Sequence, residues 1–154
     1  MTAPGADGPD GPVEIDRVEF EVERGKIGEF VRATAVQDPI HRDSAAARSA
    51  GLADIAATAT HVVVAGHHRD QLAFVRALGL DLPRVVVGAV RWDYERPLVA
   101  GDSLRGMRHV VADERRATRT GGSLRRITLR TDYLDAADTR VVRVTETIIE
   151  RSAS

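Results

Sequence analysis

The sequence predicts an α+β domain in which one sheet curls around one long helix. Two observations carry this. The second half of the chain divides into strand-like segments separated by short turns, and short turns make antiparallel neighbours. Residues 58–78 form the longest helical candidate, and their middle, ATHVVVAGHHRDQLAFVRAL, is apolar or small over much of the circumference. A helix of that kind is wrapped by other structure rather than laid on a surface. A curved antiparallel sheet packed around a single central helix is the economical arrangement.

The elements follow in order. Residues 1–12, MTAPGADGPDGP, carry almost nothing to bury and read as a disordered tail, so the folded domain is expected over 13–151. Val18, Phe20 and Val22 alternate with Glu19, Glu21 and Glu23, which predicts a strand. Residues 26–34 place Ile27, Phe30 and Val31 on one helical face. That helix has to end before Pro39, because the residue preceding a proline is pushed out of the α region. Residues 35–42 are then a loop. Asp43 or Ser44 caps a second short helix through Ala50, with Gly51 suited to its C′ position. The long helical segment starts near Asp54 or Thr58 and stops at Gly79. Residues 84–96, with Val85, Val86, Val87, Val90, Trp92 and Tyr94, favour a pleated surface. Pro97 and Gly101-Asp102 mark a turn, and residues 104–112 a further strand. Residues 115–122 read as a polar hairpin connection. In residues 124–134, Ile127, Leu129, Thr131 and Tyr133 face one way and Arg126, Thr128, Arg130 and Asp132 the other. Asp135 to Asp138 turn the chain into a last strand over 140–150.

Composition excludes several function classes. The chain has 22 basic and 23 acidic side chains, so the basic excess of a general nucleic-acid binder is absent. No cysteine is present, which removes disulfide and thiolate chemistry. No apolar run reaches the roughly 20 residues of a membrane span. The N-terminus lacks the basic-then-apolar order of a secretory signal. The expectation is a cytoplasmic protein with no membrane partner. Lys26 is the single lysine, an arginine bias that fits a GC-rich genome.

Two stretches carry a resemblance. The first is Arg32-Ala-Thr-Ala-Val-Gln-Asp-Pro-Ile-His41, followed by Arg42-Asp43 and by Ala47-Arg48-x-Ala50-Gly51. The second is Trp92-x-Tyr94-x-Arg96-Pro97-Leu98-x-x-Gly101-Asp102. Together with the element order they resemble the MaoC-like dehydratases and (R)-specific enoyl hydratases of hot-dog fold, most closely the N-terminal, dehydratase-like hot-dog branch. The match covers nearly all of residues 18–150. It implies a dehydratase or hydratase acting on a (R)-3-hydroxyacyl or enoyl thioester of coenzyme A or an acyl carrier protein, without metal or redox cofactor. It also implies a homodimer or a heterodimer with a second hot-dog chain, which covers an edge strand that would otherwise be exposed.

Carried over residue by residue, His41 falls on the family's histidine, Pro39 on its proline and Ile40 on its aliphatic position. Asp38 falls on its asparagine. Val36 falls on the catalytic aspartate, and Ala35 on the glycine before it. Valine transfers no proton. His41 is therefore expected as the general base, since imidazole titrates near neutral pH, with Asp38 as its assistant. Ala57, Thr58, Thr60 and His61, at the start of the helical segment, and Val36 are expected to line the thioester end, where backbone N–H groups stabilise charge on the thioester oxygen. Two other readings stay open: a non-catalytic, substrate-holding subunit of a heterodimeric dehydratase, and an enzyme diverted to cyclisation or isomerisation of polyketide-like substrates. His61, His67, His68 and Asp70 match no strong metal-ligand spacing. Arg105, Arg108, Arg115, Arg116, Arg119, Arg125, Arg126 and Arg130 form either a solvated strand face or a site for carrier phosphates. Glu146, between Val144 and Ile148, needs a cationic partner if it faces inward.

Overall fold

A computed structural model describes residues 12–119 and 121–151. The expected tail therefore lies outside the described residues, Pro12 excepted. Five strands form one antiparallel sheet: β1 (Val13–Glu21), β2 (Val85–Tyr94), β3 (Ser103–Ala117), β4 (Ser123–Leu134) and β5 (Arg140–Arg151), in the spatial order β1-β3-β4-β5-β2. Its helices are α1 (Arg24–Ala33), α2 (Ser44–Ser49) and α3 (Gln71–Leu78), with 3-10 turns at Pro39–His41, His61–His68 and Leu82–Arg84.

The expected sheet curved around one long central helix does not form. The sheet is open, with β1 and β2 as separate edges. The segment 58–78 is broken in two: His61–His68 is 3-10, Arg69 is extended (φ −103°, ψ 143°), and α3 starts afresh with Asp70 as N-cap. Three causes are visible. Val62, Val63 and Val64 are consecutive β-branched residues, poor in a helix interior. The Asp70 carboxylate accepts the Ala73 N–H at 2.9 Å, a cap that competes with helix continuation. Arg69 is turned into the protein, where its guanidinium contacts Asp16 of β1. Gly79 ends α3 in the left-handed conformation (φ 59°), as its position predicts. The hairpin expected at 115–122 is shorter, because β3 runs to Ala117 and pairs it with Ser123.

The apolar face of the sheet carries the core. The alternation in β4 is realised: Ile127, Leu129, Thr131 and Tyr133 are all buried. One cluster joins Val18, Phe20, Ile27, Val31 and Leu98; another joins Phe74, Leu78, Ile127 and Ile148. Gly106 is where β3 passes beneath Tyr133, and a Cβ there would stand 2.6 Å from the ring.

The end of α1 shapes the loop that follows. Thr34 is its C-cap and Ala35 sits at φ 54°. The Val36 N–H donates to the Val31 carbonyl and the Ala35 N–H to the Arg32 carbonyl, at 3.2 and 3.3 Å. This is a Schellman motif, with Val36 at C″ packed on the cluster that holds Val31. Ala35 bears the left-handed strain of an L-residue. Ala35→Gly is expected to raise stability by roughly 0.5–1 kcal/mol, measured by urea unfolding.

Candidate active site

His41 ends the Pro39–His41 turn and is half-buried. Asp38 caps that turn: its carboxylate accepts the Ile40 N–H at 3.1 Å, and its carbonyl accepts the His41 N–H at 3.3 Å. The His41 Nδ1 lies 2.7 Å from the Ala56 carbonyl oxygen. A carbonyl only accepts, so Nδ1 carries a proton, and in the neutral imidazole the lone pair is then on Nε2. The sequence pointed to His41, and allowed for a loop imidazole bonded to a backbone carbonyl, but did not say which carbonyl.

Ala56 is itself held by the second motif. It bridges to Val99, the Ala57 N–H donates to the Leu98 carbonyl at 2.8 Å, and the Ala100 N–H donates to the Ile55 carbonyl at 3.0 Å. Arg96 clamps this turn through two bonds to Asp102, at 2.7 and 2.9 Å. The turn motif thus anchors the carbonyl that orients His41. On the other side, the Ala56 N–H donates to the Ile40 carbonyl at 2.9 Å.

His41 lines a groove of about 650 Å³ with Arg24, Arg32, Arg42, Glu29 and Ile55. Arg24 binds Ser44 at 3.1 Å and pairs with Asp54. The Ile55 N–H, then Arg24 and Ser44, hold the Asp54 carboxyl below its ordinary value. Arg42 donates to the Val36 carbonyl, just past the end of α1. Arg32 has no carboxylate partner in hydrogen-bond contact among the described residues. Arg32 and Arg42 lie in the stretch marked by sequence; the pairing of Arg24 with Asp54 spans 30 positions and has no local signature.

The other expected residues divide. Val36 packs against the core at the α1 terminus and Ala57 packs beside it. The Thr58 hydroxyl is buried without a hydrogen-bond partner among the described residues. Thr60 precedes the His61–His68 turn without a side-chain cap. The N–H groups of Ala59 and Thr60 donate to no protein acceptor among the described residues. Tyr94, whose hydroxyl burial pushes up to about 12, donates to the Ala59 carbonyl and ties this loop to β2. His61 is fully buried, edge-on to Phe30 at 5.5 Å between centroids, and neither ring nitrogen has a partner among the described residues.

Burial lowers the His61 pKa below its ordinary value. The folded state then binds fewer protons than the unfolded state, so stability is full above the unfolded value of about 6.5 and falls as pH drops below it. His61→Phe is expected to remove up to about 1.4 kcal/mol per pH unit of that acid dependence, measured as unfolding free energy between pH 7 and pH 5.

The arginines of the hairpin region are largely neutralised. Arg125 pairs with Asp113 at 2.7 Å, Arg126 and Arg116 with Glu114 at 2.9 and 3.0 Å, and Arg105 with Asp138. This is the charge pattern of a solvated strand face. Among the described residues, no helix is long and apolar enough to cross a membrane.

Residues 12–144 match the family model described as FAS1-like, dehydratase domain region. A UPF0336 protein of Clavibacter michiganensis is 36% identical over 133 residues, covering 86% of both chains. Among solved structures, the fold is similar to the HadBC (3R-hydroxyacyl-ACP dehydratase) complex from Mycobacterium tuberculosis, at TM-score 0.71 and 22% identity over 89% of this chain and 96% of that one. A MaoC-like dehydratase superposes at TM-score 0.75 and 24% identity, over 93% of this chain and 42% of that one. The fold, the two motifs and the matched span agree: the chain belongs to the FAS1-like, dehydratase domain region family, and its fold is similar to that of MaoC-like dehydratases.

Proposed function

We propose that this chain is a hydro-lyase of (R)-3-hydroxyacyl or enoyl thioesters, with His41 as its general base. The observation that carries the reading is the Nδ1–H bond from His41 to the Ala56 carbonyl, which leaves Nε2 able to accept a proton. In dehydration, Nε2 takes the C2 proton and returns it to the departing C3 hydroxyl, so that the C2–C3 double bond forms and water leaves. The N–H groups of Ala59 and Thr60, unpaired among the described residues, and the Thr58 hydroxyl donate to the charge that develops on the thioester oxygen. Asp38 assists by shaping the turn that presents His41. Arg32, in the His41 groove, suits the phosphates of a coenzyme A or phosphopantetheine arm.

The chain works with a second hot-dog domain. Its β2 edge exposes Val86 and Val87, an unpaired apolar edge of the kind that association covers. A second reading, the substrate-holding subunit, is favoured by one observation: Val36 stands where the family has its aspartate and is packed into the α1 terminus. Crotonyl and longer enoyl thioesters should be hydrated by the purified chain, alone or with a second hot-dog chain carrying an intact Asp-His pair. Turnover that needs the partner and ignores His41 would favour the second reading.

A further inference from the structure

The loop that opens the His61–His68 turn separates its acceptors from its donors. The Thr58 carbonyl accepts the His61 N–H at 3.0 Å, and the Thr60 carbonyl accepts the Val63 N–H at 3.1 Å. Between them, the Ala59 carbonyl accepts the Tyr94 hydroxyl. Three consecutive carbonyls are thus engaged inside the protein. The N–H groups of Ala59 and Thr60 and the Thr58 hydroxyl are not, among the described residues. The Thr58 hydroxyl is buried, and a buried donor without a partner is unfavourable, so the loop suits a ligand that brings an acceptor.

Two of the three carbonyl bonds come from the segment's own backbone. The middle one crosses from β2, and a single side chain decides it. The Ala59 C=O and the Thr60 N–H belong to one peptide unit, planar and trans, so they point in opposite directions. The bond from Tyr94 therefore fixes the plane of that unit and the direction of the Thr60 N–H. It also polarises the amide, and such coupling strengthens a neighbouring bond by about 10–30%. Tyr94 is itself well held. It pairs with Val142 of β5 at the end of β2, and it packs against the cluster that contains Val22 and Leu98. Burial and the neighbouring Tyr133 push its hydroxyl up to about 12, so it stays a donor throughout the neutral range.

We propose that Tyr94 is a positioning residue for the reaction: its hydroxyl, through the Ala59 carbonyl, aims and polarises the Thr60 N–H toward the thioester oxygen. This rests on the dehydratase reading. The second motif then serves the chemistry as well as the fold. Arg96 and Asp102 hold the turn that supports the Ala56 carbonyl, and so His41. Tyr94 holds the peptide that meets the developing charge.

Tyr94→Phe removes the hydroxyl and keeps the ring, so the fold is expected to hold, as checked by circular dichroism and thermal unfolding. Hydration of crotonyl-coenzyme A is measured with a second hot-dog chain present. The expected result is a fall in kcat of about 5–50-fold, below the roughly 10²–10³ of a donor removed outright, with KM changed by about twofold or less. A merely structural role would not set the strength of the bond to the substrate carbonyl. Infrared difference spectra of carbonyl-labelled crotonyl-coenzyme A, held unreacted on the His41→Asn chain, read that strength. The carbonyl stretch should rise when Tyr94→Phe is added, and fall when 3-fluorotyrosine, a stronger donor, replaces Tyr94. A stretch unchanged by either replacement, or a parental kcat in Tyr94→Phe, would overturn the role of Tyr94 and leave the dehydratase reading standing. No turnover by the wild-type chain, alone or with the second chain, would overturn both.

Discussion

His41→Asn is expected to lower kcat/KM for enoyl-thioester hydration by about 10²–10⁴-fold, the range of a lost general base. Asparagine keeps an amide donor for the Ala56 carbonyl, so the turn and the loop at residues 55–57 remain supported. What disappears is the Nε2 lone pair. The loss should fall on kcat as well as on kcat/KM, because the proton is transferred in the transition state. The check is steady-state hydration of a crotonyl thioester, with circular dichroism and thermal unfolding showing that the variant is folded. An unchanged KM with the kcat loss would separate a lost base from lost substrate binding.

Asp16→Asn is expected to destabilise the fold by about 3 kcal/mol, at the lower end of what breaking a buried pair costs. The Arg69 side chain is 2% exposed and its ion-pair partner is Asp16. Its other contact, the Tyr133 hydroxyl at 3.4 Å, is long. Burial already lowers the Arg69 pKa, and the nearby Arg108 charge adds to this. Removing the Asp16 charge leaves Arg69 and Arg108 as neighbouring cations, with Glu146 as a remaining nearby carboxylate. Urea unfolding measures the loss. The double variant Asp16→Asn with Arg69→Met should recover most of it, because removing both charges of a buried pair is close to neutral. If the single variant were as stable as the parent, the pair would not hold α3 against β1.

The strands were legible because their alternation is local. Ile127, Leu129, Thr131 and Tyr133 point inward for reasons contained in their own segment. The caps at Asp43 and Gly79 were legible for the same reason. The break at Arg69-Asp70 was not read, because one of its causes is an ion pair to Asp16, 53 positions away in sequence. A trace did exist: three consecutive valines, followed by an aspartate three residues before Ala73. In the site, the motif identified His41 and its loop, but the Ala56 carbonyl that sets its tautomer is supplied by backbone, which no side-chain pattern marks. Glu146 was expected to need a cation only if it faced inward; it meets Arg108 at 3.4 Å.

Deuterium incorporation at C2 tests the central claim most directly. The chain, with a second hot-dog domain present, is incubated with a crotonyl thioester in D₂O, and the 3-hydroxyacyl product is examined by mass and NMR. The account predicts one deuterium at C2 in the wild-type reaction and at least a hundredfold slower incorporation with His41→Asn. Incorporation at the wild-type rate by the His41→Asn variant would contradict it.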